Sequence, residues 1–457
     1  MSSLTQNKTK QVDMLNGPLL SKLIIFAMPL ALSSMLQQLF NTADTAVVGR
    51  FASTQDMAAV GANSSVIGLI VSLFLGLSIG ANVVIAQYIG QGKTNMIHEA
   101  VNTVMVLAVF SGIILFVLTL ILATPILTLM GTPEDVIDLA VLYLRIYSIG
   151  MPFTMLYNFG SAVLRSKGDS IRPMYSLIAA GICNVILNLV LVICFHLGVA
   201  GVAIATVVSN VISAGLIIFF LIREEPPFRL TLKGFSVNRS ILAKVLLIGV
   251  PAGLQGTIFS LSNTVIQSAI NSFGSTAIAG STAAQNLEMI CYYMINAFNQ
   301  AATTFMSQNF GAGKYSRCRT VFYECFFAGI ISCGALDLLF MIFHDPILQL
   351  FSTDPDVKAF AWIRITHVLI FQCLAATYEI SASCMRGIGY SMLPTIMTIF
   401  GCVGFRVVWV QFIFPLVGTF NFLLYVYLAS WILTGILVTG AYFISSHIAF
   451  TKNKATA

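Results

Sequence analysis

Apolar residues run in long stretches, most of them about 20 positions or more, and polar residues gather in the short segments between. Such runs fit helices that cross a bilayer, because a helix satisfies its own backbone N–H and C=O groups and about 20 residues span the hydrocarbon. Twelve can be drawn, at 19–48, 57–82, 98–123, 136–160, 174–196, 199–222, 241–270, 278–305, 318–343, 360–383, 394–416 and 422–446. The weak ten-residue alternation of a membrane barrel is not seen. The expected fold is all-α and integral to the membrane.

The pattern is also written twice, about 221 residues apart. Pro29 is answered by Pro251, Asn41-Thr42 by Asn263-Thr264, and Gln87-Tyr88-Ile89-Gly90-Gln91-Gly92-Lys93 by Gln308-Asn309-Phe310-Gly311-Ala312-Gly313-Lys314. Arg165, Gly168, Ser170 and Pro173 find their counterparts in Arg386, Gly389, Ser391 and Pro394. Six spans is an even number, so the second copy enters the membrane from the same side as the first. The twelve helices then form two six-helix bundles related by a pseudo-twofold axis along the membrane normal, with a cavity between them. The expected division is a tail over 1–18, a bundle over 19–222, a linker over 223–244 containing Glu224-Glu225-Pro226-Pro227, a second bundle over 245–446 and a tail over 447–457.

Composition closes off other classes. With 58% hydrophobic and 9% charged residues, the chain cannot hide its apolar surface in one soluble core. The net charge of +6 would suit an acidic partner, but the basic residues are sorted by membrane side. With the N-terminus in the cytoplasm, only Arg50 and Lys358 of the 23 lysines and arginines fall outside, Arg145, Arg364 and Arg406 lie within spans, and the rest face the cytoplasm. Both termini are therefore expected in the cytoplasm of a multi-pass protein of the inner or plasma membrane, and the charge gives no argument for nucleic acid. The first apolar run is too long for a signal peptide and has no small-residue cleavage site. Nine scattered cysteines lack a paired Cys-x-x-Cys spacing and read as packing residues. The glycine turns at 90–93 and 311–314 lack phosphate-loop spacing, and no His-x-x-x-His or Gly-x-Ser-x-Gly occurs. Neither an enzyme nor an ATP-driven pump is supported, and no cofactor is called for. The drive must come from an ion gradient or from the substrate.

An ionisable group at bilayer depth costs about 2.5–3.5 kcal/mol on insertion scales, so each needs a reason. Asp44 ends a stripe of Gln37, Asn41 and Asp44 on one face of the first span. It is either an acid reaching the interface near Arg50 or a titrating, cation-binding group. Asn184 with Asn188, and Thr206 with Asn210, are four-residue pairs in the same half. Their neutral oxygens suit a monovalent cation beside one carboxylate, or they are interhelical glue. On the eighth span Gln285, Glu288, Tyr292, Asn296 and Asn299 share a face, which lines a cavity for an organic cation or seals against Asn263, Gln267 and Asn271 of the seventh. Asp337 and Glu379 lie on apolar stretches and are expected to be structural, with Arg364 or Arg406 as partners. Pro29, 15 residues before Asp44, removes a helical hydrogen bond and marks a hinge.

The two six-span halves, the segment from Pro29 to Asn41-Thr42-Ala43-Asp44-Thr45, the paired Gln-x-x-Gly-x-Gly-Lys turns and the Leu-Arg-x-x-Gly-x-Ser segment, with Met385 in place of leucine in its second copy, together resemble the multidrug and toxic compound extrusion (MATE) family over about residues 19–446. The resemblance implies the family's fold and the efflux of amphipathic, cationic drugs or xenobiotics by antiport with H⁺ or Na⁺. It also implies a cation-coupling set of Asp44, Asn184, Asn188, Thr206 and Tyr143, with possible metal binding limited to Na⁺ at Asp44. Gln37, Asn41, Glu288, Tyr292 and Asn296 would line the substrate cavity. The partners are a small organic molecule, the coupling ion and the lipid bilayer, and the unit is a monomer. One member of the set departs from the family pattern, since Asn188 stands where a second aspartate is usual and an amide cannot carry the proton. The acid that some relatives carry on the seventh span is missing from Gly256 to Ser260, and Glu379 does not fall at the family's tenth-span position. The alternative within the same superfamily is a lipid-linked oligosaccharide flippase, which would need several cations facing the cavity.

Overall fold

A computed structural model describes residues 11–231 and 236–456, and among them every regular element is helical. Lys8, Lys10, Lys233 and the side chain of Lys454, expected on the cytoplasmic side, lie outside the described residues. Six helices build the first lobe: α1 (Leu19–Phe51), α2 (Thr54–Gly90), α3 (Thr94–Leu129), α4 (Glu134–Ser166), α5 (Ile171–Cys194) and α6 (Gly198–Ile222). Six more build the second: α7 (Arg239–Asn271), α8 (Ser275–Gly311), α9 (Tyr315–Ile342), α10 (Pro355–Gly387), α11 (Met392–Leu416) and α12 (Phe420–Thr456). Eleven are long and apolar enough to cross a bilayer. The exception, α8, has 37 residues and ample length, and its polar positions from Gln285 to Gln300 dilute its apolar character.

Every helix overruns its sequence-drawn span at one end or both, although α5 and α9 stop short at the other, because turns and caps, not the edge of the hydrocarbon, stop them. The Ser53 hydroxyl accepts from the Asp56 amide while Asp56 accepts from the Ser53 amide, a capping box that fixes the start of α2. The other Asp56 oxygen accepts from Val199 N at 3.0 Å and ties α2 to the start of α6. The repeated glycine turns have the same backbone in both halves, with φ of 66° at Gly92 and 69° at Gly313, then 98° at Gly168 and 97° at Gly389. Duplication in sequence is thus duplication in geometry.

The lobes meet along α2 against α7 and α8. A methyl group on Gly90 would collide with the Gln308 carbonyl, and one on Gly311 with that of Gln87, so only glycine permits this approach. Farther along the seam Gly76 abuts Gly253, whereas Gly68 and Gly61 have nothing beside them. The lobes are therefore shut at one end and parted at the other. Rings of Phe310, Tyr315 and Phe450 join the α8–α9 turn to the end of α12 at the shut end, where α1 also begins.

The segment 11–17, expected as a plain polar tail, lies across that shut end. Val12 N donates to the Gly168 carbonyl of the first lobe at 3.1 Å. The carbonyls of Met14, Asn16 and Gly17 accept from Asn309 and Arg317 of the second, and Met14 is 1% exposed. Next to it Glu224, at the end of α6, binds Lys167 and Arg172 and pins the connection between lobes to the α4–α5 turn.

Helices α1 and α7 each change lobe along their length. In α1, Leu19, Leu23, Phe26 and Leu30 belong to the apolar core of the second lobe, with Phe26 edge-on to Phe305 at 5.7 Å. Val47 and Val48 belong to the first. Pro29 lies between, where it has no N–H to give, and Ser33 donates its hydroxyl to the Pro29 carbonyl at 2.7 Å. Correspondingly, Ile241 and Val245 of α7 pack in the first lobe and Ile266 and Ile270 in the second.

Candidate functional site

Beyond Pro29 the polar face of α1 enters the space between the lobes. Gln37 and Asn41 are exposed there, and Gln38 accepts from the Tyr293 hydroxyl of α8 at 2.8 Å, closing the floor of the cleft. Asp44 continues this face and is half-buried where α1 meets α5 of the first lobe. Its carboxylate accepts from the Asn188 amide of α5, which also donates to the Asn184 oxygen at 3.2 Å. Asn184 and Asn188 are buried, at 4% and 1% exposure. The four-residue spacing places both amides on the α5 face that meets α1.

Two further groups complete this cluster. Tyr143 of α4 is buried against Thr206 of α6, within electrostatic reach of Asp44, and its ring stacks on Tyr147 at 6.0 Å. Thr206 gives its hydrogen to the Val202 carbonyl at 3.0 Å, which leaves its lone pairs to the cluster. The Asn188 oxygen is buried without a hydrogen-bond donor. Asp44 forms no ion pair among the described residues. One carboxylate surrounded by amide, hydroxyl and phenol oxygens, with an acceptor to spare, is a setting for a small cation or a proton.

The second lobe departs from the sequence reading. Glu288, expected in the cavity, is 7% exposed and turned into the lobe, where Arg364 of α10 grips both oxygens at 2.7 and 2.8 Å. The same guanidinium donates to Ser281 at 2.7 Å, and the Tyr427 ring lies 5.3 Å from it. A buried acid with a bidentate arginine is a closed structural pair, so Glu288 offers a substrate nothing. Arg364 therefore serves neither Asp337 nor Glu379. Asp337 is buried with the Cys333 thiol against both its oxygens, and this cysteine has a polar neighbour that plain packing would not supply.

Glu379, expected to be structural with Arg364 or Arg406 as partner, instead meets the polar face of α8. It accepts from the Tyr292 hydroxyl at 3.4 Å and from the Asn299 amide at 2.9 Å, while Ser383 donates to the Asn299 oxygen. Asn296 lies half-buried between them on the same face. Arg386 gives a hydrogen bond to Gln255 at 2.7 Å and makes no ion pair with Glu379. The signal was present in the spacing of Glu379, Ser383 and Arg386, four and then three residues apart. Arg406 is held by Asn263 at 2.8 Å and Ser430 at 3.2 Å.

The family model described as MatE matches residues 29–190 and again 251–410, so each match begins at one of the paired prolines. The chain is 30% identical over 370 residues to the Bacillus subtilis protein named probable multidrug resistance protein YpnP, covering 79% of this chain and 82% of that one. It is 29% identical over 390 residues to probable multidrug resistance protein YoeA of the same organism, covering 84% of each. The fold superposes with a TM-score of 0.87, at 22% identity and over 98% of this chain and 100% of the other, on a structure described as the outward-facing conformation of a multidrug resistance MATE family transporter of the MOP superfamily.

Proposed function

This chain belongs to the MatE family of membrane transporters, and from that premise we propose that it exports amphipathic, cationic compounds in exchange for H⁺ or Na⁺ by alternating access. The observation that carries the coupling is Asp44: a carboxylate within the membrane with no basic partner and a ring of neutral oxygens, one of them unsatisfied. Such an arrangement is costly when empty and relieved when a small positive ion enters.

The charge distribution supports termini in the cytoplasm, and with that orientation the parted end of the lobes faces outward. An ion arriving by the cleft neutralises Asp44 and lets the outer part of α1 draw onto α5 and α6. Gln37 and Asn41 move with it, and the cleft they line together with Tyr292 and Asn296 loses its hold on substrate. Release of the ion to the cytoplasm resets the helix. One charge crossing 100 mV provides about 2.3 kcal/mol, which sustains more than a tenfold concentration ratio. The flippase alternative has less support, because of the three arginines within spans Arg364 and Arg406 are buried and already held by Glu288 and Asn263, which leaves Arg145 as the one exposed.

The test is dye efflux in everted vesicles with a proton gradient and a sodium gradient imposed separately. Efflux driven by one of them and lost in Asp44→Asn is expected. Efflux that ignores both gradients would sink the exchange reading.

A further inference from the structure

At the shut end three consecutive residues, where α4 runs into its turn to α5, are each held from a different direction. Gln308 of the second lobe donates to the Ser166 carbonyl, Glu224 of the connection binds Lys167, and Val12 of the N-terminal segment donates to the Gly168 carbonyl at 3.1 Å. In the matching α10–α11 turn the glutamine bond recurs, from Gln87 to the Gly387 carbonyl, but no described atom lies beside Gly389. The duplicated clasp is thus supplemented on one side only, by a segment that stands outside the repeat.

That segment is unequally attached to the two lobes. Asn309, Lys314 and Arg317 of the second give it six hydrogen bonds, at the carbonyls of Met14, Leu15, Asn16 and Gly17 and at the Asn16 side chain. Met14 is buried in the core of that lobe and Val12 packs against the same core. Lys22, on the part of α1 that belongs to the second lobe, adds bonds to the carbonyls of Asp13 and Asn16 at 2.8 and 2.7 Å. Among the described residues the Val12 amide makes its one hydrogen bond to the first lobe. Under a load that parts the lobes the weaker attachment yields, so the segment leaves with the second lobe and the break falls between Val12 and Gly168.

We propose that residues 11–17 are a latch: the segment rides on the second lobe, and its bond to Gly168 holds this end shut until it breaks to let the cleft open toward the termini side. The latch rests on the alternating-access reading. One backbone bond made only in the shut state biases the ratio of open to shut molecules about fivefold.

The repeat supplies the control. Gly168 and Gly389 have φ of 98° and 97°, so alanine strains the backbone alike at both, but only at 168 would the added methyl collide with a neighbour, the Val12 backbone. Full-length protein in nanodiscs, with the incompletely buried Cys183, Cys194 and Cys373 changed to serine, is spin-labelled through Lys93→Cys and Thr320→Cys, exposed positions on the two lobes at this end. Pulsed electron resonance then gives the ratio of long to short distances. Gly168→Ala should raise it about fivefold above Gly389→Ala. A label through Gln11→Cys should keep one distance to position 320 while its distance to position 93 splits in two. Arg317→Met, which leaves the turn alone and loosens the second lobe's grip, should also raise the ratio, and it decides if Gly168→Ala does not fold. Equal ratios in the two alanine variants, or a position-11 label that follows the first lobe, overturn the latch, and export stands if everted vesicles still show efflux. A distance between positions 93 and 320 that lengthens in no variant overturns alternating access and the latch with it. Opening that responds to Gly168→Ala without any efflux removes export and keeps the latch.

Discussion

Gln87 and Gln308 occupy matching places in the two repeats and make the same bond in opposite directions. Gln87 donates to the Gly387 carbonyl at 2.9 Å and Gln308 to the Ser166 carbonyl at 2.6 Å, each crossing from one lobe to the other. The Gln-x-x-Gly-x-Gly-Lys segments are thus turns that also clasp the shut end. Leucine at either position leaves a buried carbonyl without its donor, which costs about 1–3 kcal/mol. The loss falls only on the state shut at this end, so hydrogen exchange of the 308–314 turn should quicken in both variants. Exchange at the wild-type rate would show that the clasp carries no weight.

Asp44→Asn should cut efflux at least on the order of tenfold without lowering the melting temperature, because the variant removes a carboxylate that has no basic partner to strand. The opposite result, a destabilised protein with intact efflux, would make Asp44 a structural acid.

Removing one side of the Glu288–Arg364 pair leaves the other charge buried alone, at a cost of about 3–5 kcal/mol. Arg364→Met should therefore lower the melting temperature sharply. Adding Glu288→Gln should restore much of it, and thermal unfolding in detergent measures both. An unchanged double variant would mean that the pair is not the cause.

At the shut end the pH dependence has a definite sign. Burial alone would raise the Glu224 carboxyl, but Lys167 and Arg172 outweigh it and hold it below its ordinary value near 4.5. A depressed folded value means stability that is full above the unfolded value and is lost as pH falls through the folded one. Melting temperature followed from pH 7 downward should drop below about pH 4.5 in the wild type, and less steeply in Glu224→Gln. Parallel curves would remove Glu224 from the account.

The fold was legible because turn glycines and lipid-length runs are local signals. The common face of Asn184 and Asn188 was legible for the same reason, since they sit one helical turn apart, while their grouping with Asp44, Thr206 and Tyr143 came from the family resemblance. The partner of Glu288 was not, since Arg364 lies 76 residues away and no local spacing selects it over Arg406. The partners of Glu379 were not legible either, because Tyr292 and Asn299 are on another helix, although its own helix carried the stripe. The N-terminal segment reads as polar, and composition does not reveal that its carbonyls bind Asn309 and Arg317 while the Met14 side chain is buried in the second lobe.

Because α1 is anchored at one end in one lobe and at the other end in its partner, it cannot stay straight while the lobes pivot. Any relative rotation reaches Pro29 as torque, and any pull on Asp44 returns along the same rod to the opposite half. On the proposed exchange the helix would act as a crank, with ion occupancy and the angle between the lobes as two readings of its bend.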